Sequence, residues 1–342
     1  MENMMEIKIS DIQTSKGIIQ KIVLENDHHM HVELLSYGAS IYLIQIDGKD
    51  KCVGPTDIED FMSSSLYYGK TIGRMSGRIS TQPFLLNDQM QQLNSFGSSM
   101  FQLHGGQKGF SFQQFTFIKK EVSDEKASVT LQYVSPHLEE GYPGELNLKV
   151  TYTLDQHQAL KISFDAESTQ DTLANFTNHA YFNLLGEPHQ ILDHSFLIPA
   201  SRYVQRDAHF TYLGVKEVDE IFDFRKSKKL IKTIRSFDGS NPGYDHLFLL
   251  DSSETIGVNH PNASYQLRIN SDYPAVVFFT HNLENRALNQ RFPQKGRYSC
   301  FALECQYEPG HISQEGFNQL ILKKGEHYHH FIQYQFIKND SL

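Results

Sequence analysis

Apolar and polar side chains alternate with a period of two over long stretches of this chain. Leu146, Leu148, Val150, Tyr152 and Leu154 alternate with Asn147, Lys149, Thr151 and Thr153. After the polar turn Asp155-Gln156-His157-Gln158 the pattern resumes at Leu160, Ile162, Phe164 and Ala166. Successive strand residues point to opposite faces, so this is the pattern of a half-buried antiparallel hairpin. Ala127, Val129, Leu131 and Tyr133 make another such face, and Ile332, Tyr334 and Phe336 a last one. Turn residues separate the runs at Asn87-Asp88, Gly141-Tyr142-Pro143-Gly144 and Asp238-Gly239-Ser240-Asn241-Pro242-Gly243. Helical periodicity is confined to short turns near Ile58-Glu59-Asp60-Phe61 and Glu217-Val218-Asp219-Glu220. Many strands and few helices predict an all-β protein, a large β-sandwich.

The chain has 342 residues, and no Pro/Ser/Gly-rich linker or long charge run divides it, so one domain over residues 1–342 is expected. A net charge of −9 with no basic stripe argues against a nucleic-acid surface. No apolar run approaches the roughly 20 residues of a membrane helix. Cys52, Cys300 and Cys305 are an odd number without CxxC spacing, which signals neither a disulfide framework nor a zinc knuckle. Unpaired thiols and a start that lacks a basic-then-apolar leader predict a cytoplasmic protein. The 17 histidines include His28-His29 and His329-His330, but neither pair has the HExxH type of spacing that a catalytic metal requires.

Three segments each hold an ionisable side chain where the surroundings read as tight turn or buried strand, a costly placement unless the group has a partner or a task. The first is Leu103-His104-Gly105-Gly106-Gln107-Lys108-Gly109-Phe110, whose glycines permit close backbone approach but lack P-loop spacing. In the second, Asn175, Thr177, His179, Tyr181 and Asn183 alternate with Phe176, Asn178, Ala180 and Phe182, which predicts a strand with one polar face. The third is Phe301-Ala302-Leu303-Glu304-Cys305-Gln306, where Glu304 alternates with apolar residues. Two histidines and a carboxylate suffice to move protons at neutral pH.

Taken in order along nearly the whole chain, from Gly38-Ala39 to Gly325-Glu326, these segments resemble the aldose 1-epimerase (galactose mutarotase) family. His104 matches the family's HGG-x-x-GF pattern, Asn175–Leu184 its N-x-T-x-H-x-Y-F-N-L strand, and Leu303–Gln306 its Leu-Glu-x-Gln strand. Tyr244-Asp245-His246 resembles the Y-D-H segment, and Gly73–Ile79 the GR-x-x-NRI segment. The resemblance implies a distorted, many-stranded β-sandwich (a supersandwich) with the sugar in an open cleft. It implies Glu304 as catalytic base and His179 as catalytic acid, with Arg78, His104, Asp245 and Tyr181 around a monosaccharide. Arg74 is expected to hold its loop by bonding backbone carbonyls.

The implied reaction interconverts the α and β anomers of an aldohexose by opening and closing the ring, and it needs no cofactor and no metal. A carboxylate with an ordinary pKa near ~4.3 would be ionised, and a histidine near ~6.5 beside it would hold a proton. Three departures bear on the sugar. Gly77 stands where the family has asparagine, Val277 where it has glutamine, and Phe115 where it has tryptophan. Phe278 is then a candidate for stacking on the sugar, and the Gly77 and Val277 positions are expected to lack amides that read hydroxyls. Other readings are a non-catalytic sugar-binding protein, or a mutarotase of a phosphorylated hexose using Lys70, Arg74 and Lys108. A monomer or a homodimer is compatible with the sequence.

Overall fold

In the computed structural model the described residues are 5–97, 99–207, 209–237, 242–252, 255–284, 291, 296–309 and 317–339. The alternating runs are all strands. Leu146–Asp155 pairs antiparallel with Ala159–Ser168 and, on its other side, with Lys126–Ser135. Tyr328–Lys338 adds to Ala159–Ser168, and the sheet grows to nine strands. Its inward residues, Leu146 through Leu154 and Leu160 through Ala166, are buried and their alternates partly exposed, as a period of two requires. A five-stranded sheet is built in chain order from Glu6 to Asp50. A six-stranded sheet carries the chemistry. Its order is Tyr181–Phe182, Phe301–Gln306, Ala275–Phe279, Asp245–Leu249, Arg202–Arg206 and Tyr212–Glu217.

One apolar cluster runs from Met5 to Phe336 and joins these sheets, with Phe110, Phe115, Phe164, Phe176 and Tyr334 fully covered. The α-helix among the described residues is Ile58–Ser63, started by the Asp57 side chain, which accepts from the Asp60 amide. The turn expected at Glu217–Glu220 is not a helix. Glu217 ends a strand, and the Asp219 carboxylate instead caps one isolated turn by accepting from the amides of Ile221 and Phe222. Of the turn expected at Asp238–Gly243, residues 238–241 lie outside the described residues.

Arg74 fixes the floor beneath the glycine loop. Its guanidinium is fully buried and donates to the carbonyls of Ser135, Pro136, Pro143 and Gly144 and to the Ser135 hydroxyl. This is the loop-holding role expected of it. Replacing Arg74 with Met should leave the buried carbonyls of Ser135, Pro143 and Gly144 without this donor. At roughly 1–3 kcal/mol for each unpaired group, partly relieved by water, a net loss of at least about 3 kcal/mol is expected in urea denaturation.

Candidate active site

His179 and Glu304 meet because of register. Tyr181 pairs with Ala302 and Phe182 with Phe301. Carried two residues further, that register sets His179 level with Glu304, and their Nε2 and Oε1 atoms lie 3.4 Å apart. The expected single strand over Asn175–Asn183 is in fact broken. Thr177–Asn178 pairs with Thr71–Ile72, Tyr181–Phe182 with the Glu304 strand, and the backbone of His179 bonds to Gly69 and Lys70. The expected polar face is therefore not a sugar-binding surface. Asn175 exchanges two hydrogen bonds with the Tyr307 backbone, the Thr177 hydroxyl donates to the Cys305 carbonyl, and the Asn183 amide donates to the carbonyls of His189 and Ser299. These side chains stitch the segment to the strand that carries Glu304. From the predicted stripe only His179 and Tyr181 reach the cleft.

The cleft has a volume of about 290 Å³, small for a ligand pocket and suited to one sugar ring. His104, His179, Tyr181, Arg78, Asp245, Gly77, Val277 and Glu304 all line it. The structure thus brings these eight expected site residues together. It also adds Tyr67, Arg206, Phe210, Phe279, Gln306 and Pro309. Phe279 and Gln306 share strand parity with Val277 and Glu304, so period-two reasoning could have found them. No local signal marks Tyr67, Arg206 or Phe210. Phe278 is not the stacking residue: it points to the opposite face and packs on Tyr244, Phe224 and Phe196. The aromatic surfaces in the cleft are Tyr67, Tyr181, Phe210 and Phe279.

The glycine loop delivers His104. A side chain at Gly105, where φ is +82°, would place its first carbon 1.8 Å from the Gly73 carbonyl oxygen, so only glycine fits. The His104 amide donates to the Gly77 carbonyl, and the Gly77 amide donates back to His104 Nδ1 at 3.2 Å. Because Nδ1 accepts, the neutral ring carries its proton on Nε2. Burial, with His179 and Arg78 nearby, holds its pKa well below the usual range, so the ring stays neutral.

His104, His179 and Glu304 offer donor atoms within 4.8 Å of one another, a spacing that would suit a metal ion. The chemistry of the donor set does not. With its Nδ1 taken by a backbone amide, His104 has Nε2 protonated, which leaves two ligands where a catalytic zinc takes three. His104 is a hydrogen-bond donor.

Burial shapes the electrostatics. It pushes the Glu304 carboxyl up to about 8, helped by the neighbouring Asp245 charge and opposed by Arg78. It pushes His179 down to about 4. The expected arrangement of an ionised glutamate beside a charged histidine is therefore reversed in the sugar-free cleft: at neutral pH the proton resides on Glu304. The reason is that desolvation penalises both charges and the carboxylate's second oxygen, Oε2, has no partner among the described residues. His179 is boxed by rings, with Tyr67 stacked at 6.1 Å, His104 edge-on at 5.3 Å and Tyr181 at 4.8 Å.

Gly77 is a second correction. Its φ is +75°, and a side chain there would begin 2.8 Å from Pro309 Cγ and 3.1 Å from Gln306 Nε2. The space that an asparagine side chain would fill is thus already occupied, partly by the amide of Gln306, whose buried Oε1 has no partner among the described residues. The position is not simply missing an amide. Val277 does face the cleft, half-buried, and leaves an apolar spot there. The cations invoked for a phosphorylated sugar are elsewhere. Lys70 is buried and donates to the carbonyls of Met62 and Ser64, Arg74 is buried under the loop, and Lys108 lies outside the cleft.

The raised carboxyl carries a stability cost. Above pH 6.5 His179 is mostly neutral in both states, and up to about pH 8 Glu304 is protonated when folded and ionised when unfolded. Folding then takes up a proton, so stability falls as pH rises through that window. Glu304→Gln should remove the slope. The variant should gain about 2 kcal/mol on the parent between pH 6.5 and 8, read from paired melting curves.

A sequence model described as Aldose 1-epimerase matches residues 20–335 of the chain. Galactose mutarotase from Rattus norvegicus is 32% identical over 339 residues, covering 95% of this chain and 96% of its own. The Sus scrofa galactose mutarotase is 30% identical over 338 residues, 94% of each chain. The chain is also similar to the solved structure of galactose 1-epimerase from Lactobacillus acidophilus NCFM. The TM-score is 0.85 at 25% identity, covering 98% of this chain and all of that one.

Proposed function

The chain belongs to the aldose 1-epimerase family, and we propose that it is a cofactor-independent mutarotase that interconverts the α and β anomers of a neutral aldohexose such as galactose. The observation that carries this reading is the His179–Glu304 pair, 3.4 Å apart and buried at the wall of a cleft sized for one sugar ring.

Ring opening removes the proton of the C1 hydroxyl and delivers a proton to the ring oxygen, giving the open-chain aldehyde. Rotation about the C1–C2 bond presents the other carbonyl face, and the reverse transfers close the ring. Glu304 takes the C1 proton and His179 supplies the one for the ring oxygen. Because the pair starts with its proton on Glu304, that proton first crosses to His179. A sugar hydroxyl donating to the Glu304 carboxylate, with Arg78 nearby, favours the carboxylate form. His104 Nε2–H, Arg78 and Asp245 orient the remaining hydroxyls. Arg78 is itself held, its guanidinium carbon 3.7 Å from the centre of the Phe210 ring and its Nη2 3.7 Å from Asp245 Oδ2.

A neutral sugar fits the charges better than a phosphorylated one, since Arg78 and Arg206 each already face a carboxylate. Three free, buried cysteines support a reducing compartment such as the cytoplasm. No helix among the described residues is long and apolar enough to cross a membrane.

Exchange spectroscopy of the anomeric protons tests the reading. Glu304→Gln should lower the exchange rate by at least about 10² while sugar binding survives, and His179→Asn should do likewise. Combined, they should cost little more than either alone, because both serve one proton circuit. Undiminished exchange in Glu304→Gln would rule out its role, and exchange absent from the parent on every aldose would favour a binding protein.

The pH profile follows from the pair as a unit. Below about 4 both groups are protonated and no acceptor remains; above about 8 neither holds a proton to give. The rate with the sugar-free enzyme as reference, kcat/KM, should be flat between these limits and fall on both sides. A profile that instead rises from pH 6 to 9 would contradict it.

A further inference from the structure

Arg206 is a cleft residue that no part of the acid–base scheme uses. It ends the Arg202–Arg206 strand, which pairs with Asp245–Leu249 through Arg202–Leu249 and Tyr203–Phe248. The same register brings Arg206 level with Asp245 on the wall of the cleft. A register shift between Gln205 and Arg206 leaves Leu213 of the Tyr212–Glu217 strand unpaired, a bulge in the neighbouring strand at the level of Arg206. Asp207 Oδ1 accepts from the amides of His209 and Thr211, and the Asp207 amide donates to the Thr211 carbonyl.

The guanidinium is largely buried, 16% exposed, and two of its donors are committed: Nη2 to Glu308 Oε1 at 3.2 Å and Nη1 to the Phe210 carbonyl at 3.2 Å. A guanidinium has five N–H donors, so three remain uncommitted among the described residues. The wall beside it is apolar, formed by Leu247, Val277 and Phe279. Val277 lies two strands from Arg206 and two residues further along, about 12 Å at the usual strand spacing and rise, a distance an arginine side chain and a hexose hydroxyl cover together. Glu308 balances the charge, so the remaining donors suit neutral hydroxyls and not an anionic group. We propose that Arg206 determines sugar specificity by donating hydrogen bonds to one hydroxyl, or a vicinal pair, on the side of the ring that faces Val277. It would supply the reading that Val277 cannot. This rests on the cleft being the sugar site.

The test uses galactose and its 2-, 3-, 4- and 6-deoxy analogues with the parent, Arg206→Met and Arg206→Lys. Affinity is read by ligand-observed NMR and turnover by anomer exchange. Arg206→Met should weaken galactose binding and lower kcat/KM about 10- to 100-fold with kcat nearly kept, since the contact is made to bound sugar throughout the reaction. For one deoxy analogue, or two adjacent ones, parent and variant should converge, because the partner hydroxyl is already gone. Arg206→Lys, which keeps the charge and stem, should fall between and covers the case in which the Met variant does not fold. An equal loss on all five sugars would assign Arg206 to holding the hairpin, and no loss on any would remove it from the site; either result overturns the proposal. Because binding is measured apart from exchange, a parent that binds sugars without exchanging them would refute the mutarotase reading and leave this one readable.

Discussion

The structure is organised around the cost of placing a histidine and a glutamate side by side, almost fully covered, at the wall of the cleft. Desolvation alone drives the two groups toward their neutral forms, Glu304 upward and His179 downward. The arrangement persists because the surrounding fold over-determines it. The Thr177 hydroxyl and the Asn175 amide bond the backbone of the Glu304 strand and its continuation, and the pairing of Tyr181 with Ala302 fixes the level at which the two side chains meet. A slip of one residue would send Glu304 into the apolar face shared by Leu303 and Cys305. The polar residues flanking His179 thus serve alignment more than recognition.

What desolvation costs in stability it returns as chemistry. A pair that shares one proton over a wide pH range always contains one donor and one acceptor, which is the requirement of a reaction whose two half-steps mirror each other. Neither partner needs an extreme intrinsic strength, because the same pair runs opening and closing alike. His104 completes the set by being kept from titrating: its Nδ1 is occupied by a backbone amide, so its Nε2 proton is permanent. That same bond removes it from any three-ligand metal set. One short backbone contact therefore decides between two chemistries that the residue types alone would both allow.

The walls of the cleft are assembled unlike the proposed catalytic pair. His179 and Glu304 lie inside strict local patterns, while the walls come from distant segments: Tyr67 before the Arg74 loop, Gln306 and Pro309 at and after the end of the Glu304 strand, and the hairpin with Arg206 and Phe210. Gly77 shows how such walls compensate one another. Its missing side chain is not a void, because Pro309 and the Gln306 amide occupy the place. A departure from a motif at one position is readable only when the neighbours that fill it are known.

The sequence by itself determined the strands, the alternation that buries one face of each, and the three segments whose titratable residues stand out from apolar surroundings. It did so because strand parity and glycine-rich turns are local properties, set by side-chain geometry over a few residues. It also located Arg74 correctly as a structural arginine. Only the tertiary structure decided the protonation of the Glu304–His179 pair, since burial depends on what other strands cover. Only it showed that Lys70 is committed to carbonyls and that Arg206 enters the wall. Those facts depend on side chains from segments far apart in sequence, and no local pattern encodes which of them will meet.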